Sequence, residues 1–174
     1  MPNQTKLIAR IEEHLKKDLT ANRFAHVLSV RDQARNLAKR YNMDSKKVEL
    51  AALLHDSLKE FSDCELLKFA KKHDFLIDEY EQDNISLIHG KLAPFFAKNQ
   101  FGVDDEIVNS AMRKHTTGAS KMGPVDKVLF VADFCEPLRQ YIEAETVRNL
   151  AERDLEAASF EVIKYKIIKN LSKN

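Results

Sequence analysis

At 174 residues, 32% charged and 44% apolar, the chain has enough apolar surface for one sizeable core, which excludes an intrinsically disordered segment. Its 28 Lys and Arg against 27 Asp and Glu leave a formal charge of +1, and no run of like charge is long enough to act as a nucleic-acid arm or a membrane patch. Charge interrupts the N-terminal MPNQTKLIARIEEH every few residues and nowhere do about 18 apolar residues follow one another, so a soluble cytoplasmic protein is expected, with no nucleic-acid polymer and no membrane as partner.

Only four Gly and four Pro punctuate the chain, too few for the repeated turns of an all-β protein, and the expected class is all-α. Leu7, Ile8, Ile11 and Leu15 recur at helical spacing. A second helix runs from near Asn22 to about Tyr41, with Phe24, Val27, Leu28, Val30, Ala34, Leu37 and Ala38 on its apolar positions. Asp44-Ser45 caps a helix into VELAALLHD, Ser62 caps one to about Lys72, and Ile85 to Lys98 reads as another, with Pro94 as a candidate kink. In DDEIVNSAMRKH the acidic residues suit a helix N-terminus, and Gly118 in the following Thr116-Thr117-Gly118 suits a left-handed cap. A buried helix from about Pro124 to Cys135 stops at Glu136-Pro137, and one long amphipathic helix from about 145 to 171 closes the chain. Residues 1–174 read as a single domain without repeats or linkers, its core over about 20–140. Cys64 and Cys135 form no CxxC and are expected as reduced thiols.

Two of these helices are apolar nearly all round and yet run into ionisable groups. VELAALL delivers His55-Asp56, and VLFVA delivers Asp133. A carboxylate buried without a partner costs several kcal/mol, so each Asp calls for a cation, either Arg or Lys or a metal. His26, His55, His89 and His115 also stand beside apolar positions of expected helices. One such histidine is usually a core residue bonded to a carbonyl; four, with two buried aspartates, form the imidazole and carboxylate ligand set of Zn, Fe and Mn sites. His14 and His73 lie among lysines and acids and read as solvated.

The order His26, His55-Asp56, His89, His115, Asp133 resembles the HD superfamily of metal-dependent phosphohydrolases. ANRFAHVLSV, AALLHDSLKE, LIHG, HTTGASKMGPVDKVLFVADFCEPLR and VRNLAERDL are similar to its YqeK-like branch, the bacterial symmetrical bis(nucleosyl)-tetraphosphatases, over about residues 20 to 160. The resemblance implies an HD-domain helical bundle that splits diadenosine tetraphosphate into two ADP. It implies that His26, His55, Asp56 and Asp133 hold one divalent metal and that Asp56, His89 and His115 hold a second, with Asp56 bridging. Iron is the metal the family suggests; Mn and Zn suit the donors as well.

Around this set, Lys59 shares a face with His55 and Asp56 if their helix continues, and Arg23 shares one with His26. Arg23, Lys59 and Arg139 are candidate phosphate contacts, with surface ion pairing or helix capping as the other reading of each; Thr116, Thr117 and Gly118 offer hydroxyls and N–H groups to a phosphate or simply cap a helix. Asp56, Lys59 and Arg139 are the expected catalytic residues. Phe95-Phe96 and Phe101 suit either an adenine pocket or the core. No Ser, Thr or Cys stands out as paired with a base, so water is the expected nucleophile. Three other readings stay open: an HD-type hydrolase of mononucleotides or a guanosine alarmone, a dinuclear iron oxygenase, and a non-enzymatic nucleotide-binding module. Monomer and homodimer are both open.

Overall fold

The computed structural model describes residues 2–171. Among the described residues the chain forms α1 (Pro2–Asp18), α2 (Ala21–Arg40), α3 (Ser45–Leu54), α4 (Asp63–Lys72), α5 (Glu79–Asp83), a 3-10 turn (Ile85–Leu87), α6 (Ile88–Phe101), α7 (Glu106–Lys114), α8 (Pro124–Cys135), α9 (Ile142–Ala151) and α10 (Leu155–Leu171), with no strand. The all-α expectation holds. No described helix is long and apolar enough to cross a membrane.

Local chemistry accounts for the starts. Thr20, Asp44, Ser62 and Asp105 each accept an N–H of the first turn behind them, and Ser62 with Glu65 closes a reciprocal capping box. The centre is built from α2, α3, α7 and α8: α2 packs on α3 and α8, α7 bridges α3, α6 and α8, and α10 covers α8 and α9. Leu53, Leu54, Met112, Leu129 and Phe130 are fully buried there, each stabilising the fold by about 1.5–3 kcal/mol. The two helices whose apolar residues overflow one stripe, α3 and α8, are the ones enclosed on most sides. Ser110, Lys114 and the Gly123 N–H all bond the buried Asp126 carboxylate, which binds the start of α8 to α7.

Several expectations need correction. The helix through VELAALL does not continue to Lys59; α3 ends at Leu54, and tight turns with bonds from Ser57 N–H to Leu54 and from Lys59 N–H to Asp56 follow. Ile85 to Lys98 is a 3-10 turn followed by α6, which runs through Pro94 to Phe101. The closing helix is two helices, because Asp154 accepts the Ala157 N–H and starts α10 afresh after the turn at residues 152–154. That reversal lets Val147 and Ala151 of α9 and Leu155, Ala158 and Val162 of α10 all enter one core. His14 and His73 are half-buried rather than solvated: His14 meets Phe101 edge-on at 5.3 Å, and His73 stacks on Phe95 at 4.9 Å. The phenylalanine set takes part in packing, with Phe96 and Phe101 both buried.

Candidate metal centre

Five helix ends converge on one point. His26 lies in the second turn of α2, His55 is the C-cap of α3 with Asp56 next to it, His89 opens α6, His115 caps α7, and Asp133 sits in the last turn of α8. Close approach of α6 and α7 depends on Gly90. A Cβ there would stand 2.7 Å from His115 Cε1 and 2.9 Å from the Met112 carbonyl oxygen.

Second bonds fix the rings. His55 Nδ1–H donates to the Ala52 carbonyl at 2.6 Å, His89 Nδ1–H to that of Ser86 at 2.5 Å, and His115 Nδ1–H to that of Met112 at 2.7 Å. A carbonyl only accepts, so each Nδ1 carries a proton and each Nε2, in the neutral ring, presents a lone pair. His26 is held differently, its Nδ1–H donating to Glu136 Oε1 at 3.1 Å. Glu136, buried, also accepts the Ser29 hydroxyl and the Leu138 N–H, both at 2.6 Å. Sequence reading treated Glu136 only as a helix stop; the carboxylate behind a ring nitrogen is the usual support of a metal-ligating histidine.

The four Nε2 atoms surround two carboxylates. Asp56 divides its oxygens: Oδ1 lies 3.1 Å from His89 Nε2 and 3.5 Å from His115 Nε2, and Oδ2 lies 3.6 Å from both His26 and His55 Nε2. Asp133 Oδ1 joins the second pair, 3.2 Å from His26 and 4.0 Å from His55. Donor atoms of His26, His55 and Asp56 lie within 4.8 Å of one another, as do those of Asp56, His89 and His115.

Electrostatics keeps His55, His89 and both aspartates in ligand form. Burial lowers the His55 pKa to about 4 and also lowers that of His89. Burial opposes the charge of His26 too, yet the carboxylates of Asp133, Glu136 and Asp56 around it leave its pKa raised. Asp56 and Asp133 stay ionised against their own burial, Asp56 through the histidines around it and Asp133 through His26, His55 and Arg139. Nε2 of His26 and of His55 is buried with no hydrogen-bond partner. Imidazole nitrogens and carboxylates that face one another form a set of acceptors suited to a cation, so the residues present fit a divalent metal.

Cations stand at the edge. Arg23 Nη1 donates to Asp56 Oδ2 at 2.9 Å, and Arg139 Nη2 to Asp133 Oδ1 at 3.1 Å, with Arg139 Nη1 reaching the Tyr141 hydroxyl at 3.3 Å. Lys59 is half-buried, and its charge adds to the burial that lowers the His89 pKa. Of the Thr116-Thr117-Gly118 turn only Thr116 reaches inward, its hydroxyl 3.0 Å from His115 Nε2, a pairing that sequence reading did not foresee. Thr117 donates to the Gly118 carbonyl, and the Gly118 N–H closes α7 on Lys114, with φ at +71°. Arg23, His26, Arg139 and Tyr141 line an open cleft of about 670 Å3, whereas a larger groove of about 1220 Å3 between Ile107 and Phe160 holds none of the cluster.

Comparison with known proteins agrees with this geometry. The HD domain family matches residues 23–138. A protein of Bacillus subtilis (strain 168) named bis(5'-nucleosyl)-tetraphosphatase, symmetrical, is 35% identical over 160 residues, covering 92% of this chain and 86% of its own. A protein of the same name from Halalkalibacterium halodurans is 33% identical over 164 residues, covering 90% and 81%. The crystal structure of an HD superfamily hydrolase from Clostridium acetobutylicum, described as involved in NAD metabolism, superposes with a TM-score of 0.86 at 32% identity, covering 93% of this chain and 88% of that one. With one family spanning every residue of the cluster, and two relatives that similar over most of their length, the chain belongs to the HD-domain family, in the branch of the symmetrical bis(5'-nucleosyl)-tetraphosphatases.

Proposed function

We propose that the chain hydrolyses dinucleoside tetraphosphates, diadenosine tetraphosphate foremost, into two nucleoside diphosphates, with two divalent cations held by His26, His55, Asp56 and Asp133 on one side and by Asp56, His89 and His115 on the other. The observation that carries the reading is the division of the Asp56 oxygens between two histidine pairs. Iron, manganese or zinc would suit these donors, and when bound such cations supply Lewis acidity toward phosphoryl oxygens and acidify water enough for attack near neutral pH.

The chain's own residues then have defined tasks. Arg23 and Arg139, each now on a carboxylate of the cluster, can turn a planar fork of donors to a phosphate, and both line the cleft. Lys59 adds a point charge for the leaving diphosphate. Burial excludes water from His55 and His89, so the imidazoles stay neutral while the phosphates enter. The Cys135 thiol is pushed up to about 12 by burial, which removes it as a nucleophile. Water attack at an inner phosphorus leaves ADP on both sides.

Chromatography of the first products from diadenosine tetraphosphate, with protein reconstituted in Mn2+ or Fe2+, tests the reading. Two ADP are expected, and in 18O-labelled water one labelled oxygen enters the terminal phosphate of only one of them. AMP plus ATP would overturn it.

A further inference from the structure

Arg148 of α9 and Lys166 of α10 lie beyond the stretch that matches the HD family, and both are half-buried. Arg148 Nε donates to the Cys135 carbonyl at 2.8 Å, and its Nη2 to those of Glu136 at 3.1 Å and Arg139 at 3.0 Å. Lys166 Nζ donates to the carbonyls of Thr116 at 2.7 Å and His115 at 3.3 Å, 4.4 Å above the centre of the Phe130 ring. An α-helix leaves its last carbonyls without donors from within, and a cation placed there satisfies the bonds and the helix dipole together. Here those ends are the ones that matter: α8 stops into the segment carrying Glu136, which holds His26, and Arg139, which holds Asp133; α7 stops at His115. These bonds of both cations go to main chain, so they fix backbone rather than neutralise a carboxylate.

We propose that Arg148 and Lys166 are positioning residues of the metal centre, each serving one side of it: Arg148 the side of His26 and Asp133, Lys166 the side of His89 and His115. The proposal rests on the two-cation reading above. It makes α9 and α10 part of the site, although no side chain from them lies among the ligands.

Mn2+ bound per chain, measured by elemental analysis across a chelator series, tests it in two backgrounds. His26→Ala leaves the His89 and His115 side, and His115→Ala leaves the other. Adding Lys166→Met to His26→Ala should weaken the remaining ion about tenfold, within the range for loss of a group supporting a ligand, and Arg148→Met should not. In His115→Ala the effects should exchange. Lys166→Arg and Arg148→Lys, which keep donors to the carbonyls, should restore most of the affinity, and Lys166→Gln with Arg148→Gln replace the Met variants should those fail to fold. Equal weakening in both backgrounds, or a lower Tm with unchanged Mn2+ affinity, would overturn the assignment. A parent chain that binds only one Mn2+, or loses all of it in either background, would instead overturn the two-cation reading on which it rests.

Discussion

Gly90→Ala separates the stability of the fold from the integrity of the centre. The added Cβ would stand 2.7 Å from His115 Cε1, about 0.8 Å inside the ~3.5 Å at which carbon atoms meet comfortably, and 2.9 Å from the Met112 carbonyl oxygen. The ring cannot turn away freely, because its Nδ1–H is bonded to that same Met112 carbonyl at 2.7 Å. Overpacking of this kind costs about 1–3 kcal/mol, and the gain from replacing a helical Gly by Ala returns about 0.5–1 kcal/mol. A net loss of about 0–2.5 kcal/mol lowers Tm by less than about 10 °C in a chain of this size, and the fold survives. Ligation is less forgiving, since metal-ligand distances hold within about 0.2 Å. Calorimetry in chelator should therefore give a modest Tm shift, while elemental analysis finds the His89 and His115 side depleted and hydrolysis falls by at least 100-fold. A variant with the parent's metal content and activity would refute the claim that His115 is placed by the contact of α6 with α7 at Gly90.

Asp56→Ala should lose both ions and all activity, because among the described residues no other carboxylate faces both histidine pairs; metal content equal to the parent's would contradict this. Thr116→Val keeps the shape of the side chain and removes the hydroxyl near His115, and should cost less than tenfold in kcat if water is the nucleophile; complete loss with metal retained would make the threonine a covalent participant. Chelation should lower Tm by about 5–10 °C for a metal present at 100 times its Kd, since binding to the folded chain alone contributes about 2.7 kcal/mol there, and an unchanged melting curve would deny the cations any share in stability.

The cluster was legible because its residues violate the pattern around them. Asp56 and Asp133 follow runs such as AALL and VLFVA, where burial without a partner is too costly to be accidental, and His26, His89 and His115 repeat the violation on three other helices. What escaped depends on partners far along the chain. Glu136 reads as the residue before a proline, and only folding brings it behind His26. Lys166 reads as one charge on an amphipathic helix, since nothing local tells that its ammonium meets the end of α7. The break between α9 and α10 has neither Gly nor Pro to announce it and comes from the Asp154 cap. His14 and His73 misled for the converse reason: lysines and acids flank them in sequence, while phenylalanines of α6 flank them in space.

Arg23 and Arg139 rest on Asp56 and Asp133 and also line the cleft, so one pair of side chains ties the floor of the site to its rim. A change of charge at either carboxylate is therefore felt by a guanidinium at the edge of solvent. The cluster and the mouth of the cleft form one electrostatic unit, and a substitution at Arg23 or Arg139 acts on both together.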